Sequence, residues 1–327
     1  MSAWVEDVLG SGYEQRTIEL GADPDGEGDI VATLVRATEP VKATHAFVWV
    51  HGFTDYFFQT ELADFLVERG FAFYALDLHK CGRSRRPGQT PHYVSDLGLY
   101  DAEIGRALDL VREESGDLPI LLGGHSTGGL VLALWAGRLN SVPGRARKEG
   151  IEGLLLDSPW FDLQGAAWLR SVGTQVIRLV AQVQPYRALN LPKSSAYGSS
   201  LHVSAHGEWD YNLDWKPIGG FPITYGWINA IRRGHAAFHR GIDVGVPSLV
   251  LRSDATYFSR THRPRTDVSD AVLDVKQIAR WAGCLGDAVT SLAIPGALHD
   301  VYLSAPAVRA QAYAATDRWL HDFILER

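Results

Sequence analysis

The sequence predicts an α/β fold, with an eight-stranded, mostly parallel sheet, helices on both faces and an inserted, mostly helical cap. Short apolar runs recur along the chain, helical patterns lie between them, and residues 160–240 interrupt this alternation. Continuous apolar runs are typical of strands that are buried on both faces. Strands that alternate with helices are typical of a parallel sheet.

The first two strands are expected at residues 13–20 and 30–37, on either side of the polar, glycine- and aspartate-rich stretch Gly21–Asp29. Two strands joined by such a turn favour an antiparallel hairpin at the start of the fold. Six apolar runs predict the remaining strands, at residues 45–50, 71–76, 119–122, 153–156, 248–251 and 289–294.

Helices are expected between these strands because apolar residues recur there at helical spacing. The first ends at Gly70, where a glycine is typical of a helix C-terminus. The predicted helices cover residues 62–70, 100–111, 130–139, 274–285 and 306–325.

Residues 160–240 contain no clear buried strand but carry five tryptophans. A loop of that length needs structure of its own. We therefore predict an α/β core made of residues 1–159 and 241–327, with residues 160–240 inserted as a cap whose middle, at 190–223, is irregular.

Composition excludes several classes of protein. Apolar residues make up 46% of the 327 residues and charged residues 21%, which favours a globular chain over a disordered one. The formal charge of −7 and the lack of a long basic run argue against nucleic-acid binding. No apolar run is long enough to span a membrane and no signal peptide is evident, so a cytoplasmic location is expected.

The cysteines give no sign of a metal or redox site. The chain has only Cys81 and Cys284, and neither belongs to a C-x-x-C pair. We expect free thiols and no metal or cofactor, although Cys81 lies in a loop after a strand, where functional sites are common.

The segment Gly124–Gly128 matches G-x-S-x-G, with an apolar strand before it and a helix of small and apolar residues after it. This strand–turn–helix context is the one in which the motif supplies a nucleophilic serine. The turn exposes the hydroxyl of Ser126 at the positive end of the helix, which favours a developing oxyanion. The sequence therefore predicts Ser126 as the nucleophile.

A second loop is expected beside this serine. The segment His51–Asp55 directly follows the strand at 45–50. In hydrolases whose serine lies in a G-x-S-x-G turn, the loop at this position supplies one half of the oxyanion hole. We expect the backbone amides of Phe53 and Thr127 to face the same carbonyl oxygen.

The base is predicted from its position. His299 lies just past the last strand, so its loop should bring it to the carboxyl edge of the sheet beside Ser126. The acid must follow the strand at 248–251, and position alone leaves four candidates in the order Ser…Asp…His. They are Asp254, Asp267, Asp270 and Asp274.

Together these segments resemble the monoacylglycerol lipase and lysophospholipase-like branch of the α/β-hydrolases. The resemblance rests on His51–Asp55, Asp77–Ser84, Gly124–Gly128 and Gly296–His299, and it covers nearly the whole chain. It implies an α/β-hydrolase fold and a serine hydrolase. The family usually has Arg-Gly-His-Gly after the aspartate that matches Asp77, whereas this chain has His79–Gly82 with lysine and cysteine in the middle.

The resemblance also bears on the acid. The family places it as an aspartate before a short apolar step into a helix, and Asp270–Asp274 looks like that step. Asp270 leaves room for one helix and one strand before His299, which is the family's usual content. Asp254 follows its strand directly and stays an alternative, whereas Asp274 suits the cap of the next helix, with Gln277 completing a capping box.

These features predict a hydrolase of carboxylic esters that acts through a Ser–His–Asp triad and an acyl-enzyme. An aminopeptidase-like or amide hydrolase is the first alternative, since Glu208, Asp210 and Asp214 in the cap could hold a substrate ammonium; we interpret them as solvated surface. A non-catalytic ligand-binding member of the fold is the second alternative.

The cap suggests the substrate. Its first helical part, Ala166–Val183, has more apolar surface than one contact face needs, so some of it should line a pocket. Phe53, Phe57 and Phe58 could add an aromatic wall. We expect small-molecule esters with an apolar acyl chain, namely esters of short-to-medium fatty acids, monoacylglycerols among them, to be cleaved better than acetate.

Overall fold

The computed structural model describes residues 3–38, 42–163, 175 and 177–325. A single nine-stranded sheet contains every strand that the sequence predicts, and one more at its edge. The strands are β1 Val5–Asp7, β2 Gly10–Ala22, β3 Asp29–Ala37, β4 His45–Val50, β5 Phe71–Asp77, β6 Ile120–His125, β7 Ile151–Asp157, β8 Ser248–Ser253 and β9 Val289–Ile294. The prediction of eight strands missed β1, which is three residues long and too short to show an apolar pattern.

The strand order is β1-β2-β3-β5-β4-β6-β7-β8-β9. The pairs β1–β2, β2–β3 and β3–β5 are antiparallel, which includes the predicted opening hairpin. All pairs from β5 to β9 are parallel. The carboxyl ends of these six strands therefore meet at one edge, where α/β sheets bind their ligands.

The described helices are α1 Thr60–Val67, α2 Asp101–Ser115, α3 Thr127–Leu139, α4 Arg145–Lys148, α5 at residues 177–183, α6 Ala196–Leu201, α7 Tyr225–Phe238, α8 Val275–Trp281 and α9 Pro306–Leu320. Shorter 3₁₀ turns cover Gly82–Ser84, Leu97–Tyr100, Pro264–Val268, Ala282–Leu285 and Val301–Leu303. A π-helical turn, His321–Leu325, follows α9.

The sheet separates two apolar layers. In β6, the side chains of Ile120 and Leu122 join the cluster that contains α2 and α3, whereas Leu121 points to the opposite cluster with α1 and α9. Successive side chains of a strand face opposite sides of the sheet. Helices on both faces therefore cover the central strands β4 and β6, which have no polar face, as their continuous apolar runs predict.

Part of the region predicted as a cap packs tightly on the core. A Cβ atom at Gly234 of α7 would lie only 2.7 Å from Leu97 and 3.2 Å from Leu134 of α3. Most of the predicted cap helix Ala166–Val183 lies outside the described residues, because residues 164–174 and 176 are not among them. The division into core and cap stays a prediction. None of the helices in the described part of the chain is both long and apolar enough to cross a bilayer.

Candidate active site

Ser126 stands between the end of β6 and the start of α3. Its φ of 52° and ψ of −115° are unusual for a residue with a side chain, as expected of a strained turn at a functional site. Two backbone hydrogen bonds hold the turn. The amide of Ser126 donates to the carbonyl of Asp157 at 2.9 Å, and its carbonyl accepts from the amide of Trp160 at 2.9 Å.

Steric constraints require glycine at positions 124 and 128 of the turn. A Cβ atom at Gly128 would lie 2.4 Å from the carbonyl oxygens of Val50 and His51, and one at Gly124 would lie 2.9 Å from the backbone of Gly128. Only glycine therefore lets α3 begin this close to the end of β4, which brings the serine beside the loop that follows β4.

His299 connects the serine to one of the four candidate carboxylates. Its Nε2 lies 3.0 Å from Ser126 Oγ, and its Nδ1 lies 2.9 Å from Asp270 Oδ2. All three residues are buried. The structure therefore brings Ser126, His299 and Asp270 into one hydrogen-bonded series, although the three come from separate loops at the carboxyl edge of the sheet.

The second oxygen of Asp270 is also occupied. Asp270 Oδ1 accepts from the backbone amides of Val272 and Leu273, both at 2.7 Å. These two bonds fix the carboxylate, so that only Oδ2 faces the imidazole. The orientation matches that of a carboxylate which holds a catalytic histidine in one tautomer.

The other three candidate acids have partners elsewhere. Asp254 is exposed and accepts from the amide of Gly296 at 3.0 Å. Asp274 caps α8 by accepting from Lys276 at 3.0 Å. Asp267 contacts the ring of His262 at 2.9 Å.

The loop after β4 approaches the serine closely. A Cβ atom at Gly52 would lie 3.1 Å from Ser126 Cβ. The amides of Phe53 and Thr127 donate no hydrogen bond to any of the described residues. For Thr127 this follows from its position as the first residue of α3, where a helix leaves its amides without a partner. Both amides are therefore available to a ligand oxygen.

His51 orients the peptide that carries one of these amides. Its Nε2 accepts from the amide of Leu78 at 3.1 Å, so Nδ1 carries the proton and donates to the carbonyl of Gly52 at 2.7 Å. In a trans peptide the carbonyl and the following N–H point in opposite directions. Holding the carbonyl of Gly52 therefore fixes the direction of the Phe53 amide.

A small cavity of about 20 Å³ adjoins Gly52, Phe53 and Thr127. Its apolar lining residues include Phe53, Leu97, Val131, Trp227 and Ile231, and Cys81 and His92 also line it. Of the three phenylalanines expected in an aromatic wall, only Phe53 lines this cavity. Phe57 packs against Phe73 in the core and Phe58 packs against Tyr211.

Three other histidines have different surroundings. His235 Nε2 lies 2.8 Å from the carbonyl of Trp160, and burial lowers the pKa of His235 to about 3. His239 Nε2 lies 2.7 Å from the carbonyl of Phe161. The ring of His125 packs against that of His299, with 4.7 Å between their centroids. Of these three histidines, only His125 contacts a member of the series Ser126–His299–Asp270.

A buried acid pair lies beneath His299 and was not predicted from the sequence. Asp157 and Asp300 face each other beside His125. Burial, the charge of Asp300 and a hydrogen bond to it raise the pKa of Asp157 well above its usual value. The amide of Val301 donates to Asp157, and Gln59 donates to Asp300 at 3.0 Å. Two features of the sequence could have predicted the pair: Asp157 ends β7 at the carboxyl edge of the sheet, and Asp300 directly follows His299.

Two groups of buried side chains in the described residues have ligand types that suit a metal: His51–Cys81–His92 and His125–Asp157–Asp300. In the first, both ring nitrogens of His51 already bind backbone groups. In the second, the raised pKa of Asp157 favours a protonated acid, and backbone and glutamine donors occupy the carboxyls. Neither group offers three available ligand atoms.

The loop His79–Gly82, which departs from the family pattern, turns its side chains inward. Lys80 is fully buried and pairs with Asp23 at 2.5 Å and Glu27 at 2.9 Å. His79 contacts Glu103 at 2.7 Å. Burial and the nearby carboxylates Glu103 and Asp77 raise the pKa of Cys81, so its thiol stays protonated. These contacts attach the loop to the β2–β3 turn and to α2.

The three carboxylates of the predicted cap lie on the surface. Glu208 pairs with Arg309 of α9, and Asp210 and Asp214 are exposed. None of them is in contact with Ser126, His299 or Asp270 in the part of the chain that the structure describes. This exposure agrees with their interpretation as solvated groups.

Known structures share the fold. A monoglyceride lipase from Saccharomyces cerevisiae matches with a TM-score of 0.66 and 14% identity over 98% of this chain and 99% of that one. A monoacylglycerol lipase from Paleococcus ferrophilus matches with a TM-score of 0.57 and 20% identity over 95% of this chain and 99% of that one. A carboxyl esterase from Bacillus coagulans matches with a TM-score of 0.64 and 15% identity over 95% of this chain and 99% of that one. At such identities the matches show the fold alone, and they confirm the predicted α/β-hydrolase architecture.

Sequence comparison gives the family. No curated protein matches the sequence significantly. The family model described as serine aminopeptidase, S33, matches residues 41–255, which is more than half of the chain and includes the Ser126 turn and the loop after β4. The chain therefore belongs to the serine aminopeptidase S33 family of α/β-hydrolases.

Proposed function

We propose that the protein is a serine hydrolase that cleaves carboxylic esters through Ser126, His299 and Asp270. The observation that carries this proposal is the continuous series from Ser126 Oγ through His299 to Asp270, at 3.0 and 2.9 Å. Two free amides beside the serine and the strained turn that exposes its hydroxyl support it further.

The chemistry follows from these contacts. His299 Nε2 takes the proton of Ser126 as Oγ bonds to the ester carbonyl carbon, and the carbonyl oxygen becomes an oxyanion that accepts from the amides of Phe53 and Thr127. When the tetrahedral intermediate collapses, the ester C–O bond breaks and the alcohol takes the proton from His299. Water then attacks the acyl-enzyme by the same sequence, which releases the acid and restores Ser126.

Asp270 keeps its charge throughout. Its Oδ2 accepts from the Nδ1–H of His299, which leaves the lone pair of Nε2 facing Ser126. When His299 becomes an imidazolium, the nearby negative charge stabilises it. The two backbone donors on Oδ1 prevent the carboxylate from rotating away.

An ester substrate is favoured over a peptide. An aminopeptidase needs a carboxylate that binds the substrate ammonium near the serine. The three cap carboxylates that could do so are solvent-exposed, and one of them pairs with Arg309. The buried Asp55 is occupied by Lys216 at 2.7 Å.

The cavity beside the proposed oxyanion hole suggests a short acyl group. Apolar side chains form about half of its wall, and its volume of about 20 Å³ leaves room for only a short tail. We expect catalytic efficiency on nitrophenyl esters to rise from acetate to butyrate by up to about tenfold, because each buried methylene contributes about 0.8 kcal/mol. Laurate and an aminoacyl anilide should be poor substrates. An optimum at acetate or laurate would contradict this pocket, and faster cleavage of the anilide would favour a peptidase.

Ile231→Ala tests the wall directly. Ile231 is fully buried and lines the cavity, so its truncation should shift the optimum toward longer acyl chains. Ile228→Ala is the matched control, since it removes the same atoms from a buried residue of the same helix that does not line the cavity. The optimum should move only in the first variant.

A further inference from the structure

The loop that carries Phe53 is bound to the predicted cap by three successive residues. We call residues 52–56 the oxyanion loop and residues 212–221 the cap segment. The amide of Asn212 donates to Tyr56 Oη at 2.8 Å, Lys216 Nζ donates to Asp55 Oδ1 at 2.7 Å, and the amide of Phe221 donates to Thr54 Oγ1 at 3.0 Å.

The central contact is a buried ion pair. The side chains of Lys216 and Asp55 are 7% and 1% exposed. The rings of Phe58, Tyr197 and Tyr211 surround the ammonium at 5.5 to 5.7 Å. A pair this buried loses much stability when one partner is removed, because the other charge stays without compensation.

Asp55 also holds the oxyanion loop from within. Its Oδ2 accepts from the amide of Gly52 at 3.3 Å, while Oδ1 binds Lys216. Burial by itself would raise the pKa of Asp55, but Lys216, His125 and His51 together hold it below its usual value. The carboxylate is therefore ionised, and it bridges the cap segment and the first peptide of the loop.

The loop needs such support. Thr54 has a φ of 54°, a left-handed conformation that costs energy for a threonine and persists only where the surroundings hold it. Gly52 contacts Ser126 and precedes Phe53, so a small movement of the loop would misalign the Phe53 amide. An oxyanion-hole donor acts only when it lies within hydrogen-bond distance of the oxyanion.

We propose that Lys216 is a positioning residue for the oxyanion hole, acting through Asp55 and the Gly52 amide to fix the direction of the Phe53 N–H. The role rests on the ester hydrolase function proposed above. It fixes the cap segment to the oxyanion loop, since the two share a buried charge pair and two hydrogen bonds from backbone amides to side-chain hydroxyls.

Lys216→Met keeps an unbranched side chain that is one atom shorter and removes the charge. We expect kcat for nitrophenyl butyrate to fall by about 10- to 100-fold, somewhat less than loss of a whole oxyanion-hole donor, with KM changed by less than about twofold. The rate at which a fluorophosphonate labels Ser126 should fall in parallel, because the phosphonyl oxygen occupies the same hole. A purely structural role would instead lower the fraction of folded protein and leave kcat per folded molecule unchanged.

Two further variants sharpen the test. In Asp55→Asn/Lys216→Met, the amide oxygen can still accept from Gly52 and no buried charge is unpaired, so kcat should recover to within about tenfold of wild type. Glu208→Gln is the matched control, because Glu208 pairs with Arg309 in another ion pair between the predicted cap and the core that does not contact the oxyanion loop. It should leave kcat unchanged.

The outcomes separate the two proposals. Wild-type protein that neither cleaves esters nor labels at Ser126 would overturn the proposed function. Labelling of wild type and of Lys216→Met at equal rates would overturn only the role of Lys216. If Lys216→Met does not fold, the double variant decides: a folded double variant that has lost about 10²- to 10³-fold in kcat contradicts action through Asp55 and Gly52.

Discussion

Ser126→Ala is expected to reduce the catalytic efficiency on nitrophenyl butyrate by about four to six orders of magnitude, the effect of removing a triad nucleophile. The hydroxyl lies 3.0 Å from His299 Nε2, and alanine leaves no atom that can form the acyl-enzyme. The remaining activity would come from the two amides and from binding alone. Steady-state kinetics and loss of fluorophosphonate labelling measure the effect.

Ser158→Ala is the matched control for this experiment. Ser158 is also buried at the end of a parallel strand, β7, and its φ of 43° is also left-handed. The Ser158→Ala variant should keep its catalytic efficiency and its labelling by the fluorophosphonate. Labelling that persists in Ser126→Ala would show that another residue is the nucleophile.

Asp270→Asn is expected to lower kcat by up to about 10⁴-fold, as when a triad histidine loses its carboxylate. The structure explains why the amide cannot adapt. The donors of Val272 and Leu273 require an oxygen at Oδ1, so the amide must turn its NH₂ group toward His299 Nδ1. That contact favours the tautomer with a proton on Nε2, which cannot accept from Ser126.

Asp254→Asn should change kcat by less than about twofold, because Asp254 is exposed and bonds only to the amide of Gly296 in the described part of the chain. Melting temperatures of the Asp270→Asn and Asp254→Asn variants show whether a fall in kcat comes from lost catalysis or from lost stability of the fold. If Asp254→Asn gave the large effect and Asp270→Asn did not, the acid would be Asp254.

Local pattern was sufficient to predict much of the architecture. Six continuous apolar runs predict β4 to β9, and the polar stretch Gly21–Asp29 between two further runs predicts the hairpin of β2 and β3. The G-x-S-x-G turn and the loop after the last strand predict that Ser126 and His299 lie close together, because the carboxyl ends of parallel strands meet at one edge. Choosing Asp270 over Asp254 required the family resemblance as well, and the catalytic roles of all three stay predictions.

Long-range pairs were not accessible from the pattern. Lys216 and Asp55 lie 161 positions apart, and neither has a spacing that points to the other. The cap segment is rich in glycine and proline, so it has no periodicity to interpret. The predicted pocket wall in Ala166–Val183 lies largely outside the described residues, whereas the cavity that the structure shows is lined by α3, α7 and the loops after β4 and β5.

The buried acid pair beneath His299 couples the folding equilibrium to proton uptake. The raised pKa favours the neutral form of Asp157 in the folded chain at pH values where an ordinary aspartate is already ionised. Between the ordinary value of 3.8 and this raised pKa, the native state binds a proton that the unfolded chain lacks. This contribution to stability is complete below 3.8 and is lost as the pH rises through the raised pKa. Unfolding within that window releases the proton, so the calorimetric enthalpy of unfolding includes the ionisation heat of the buffer.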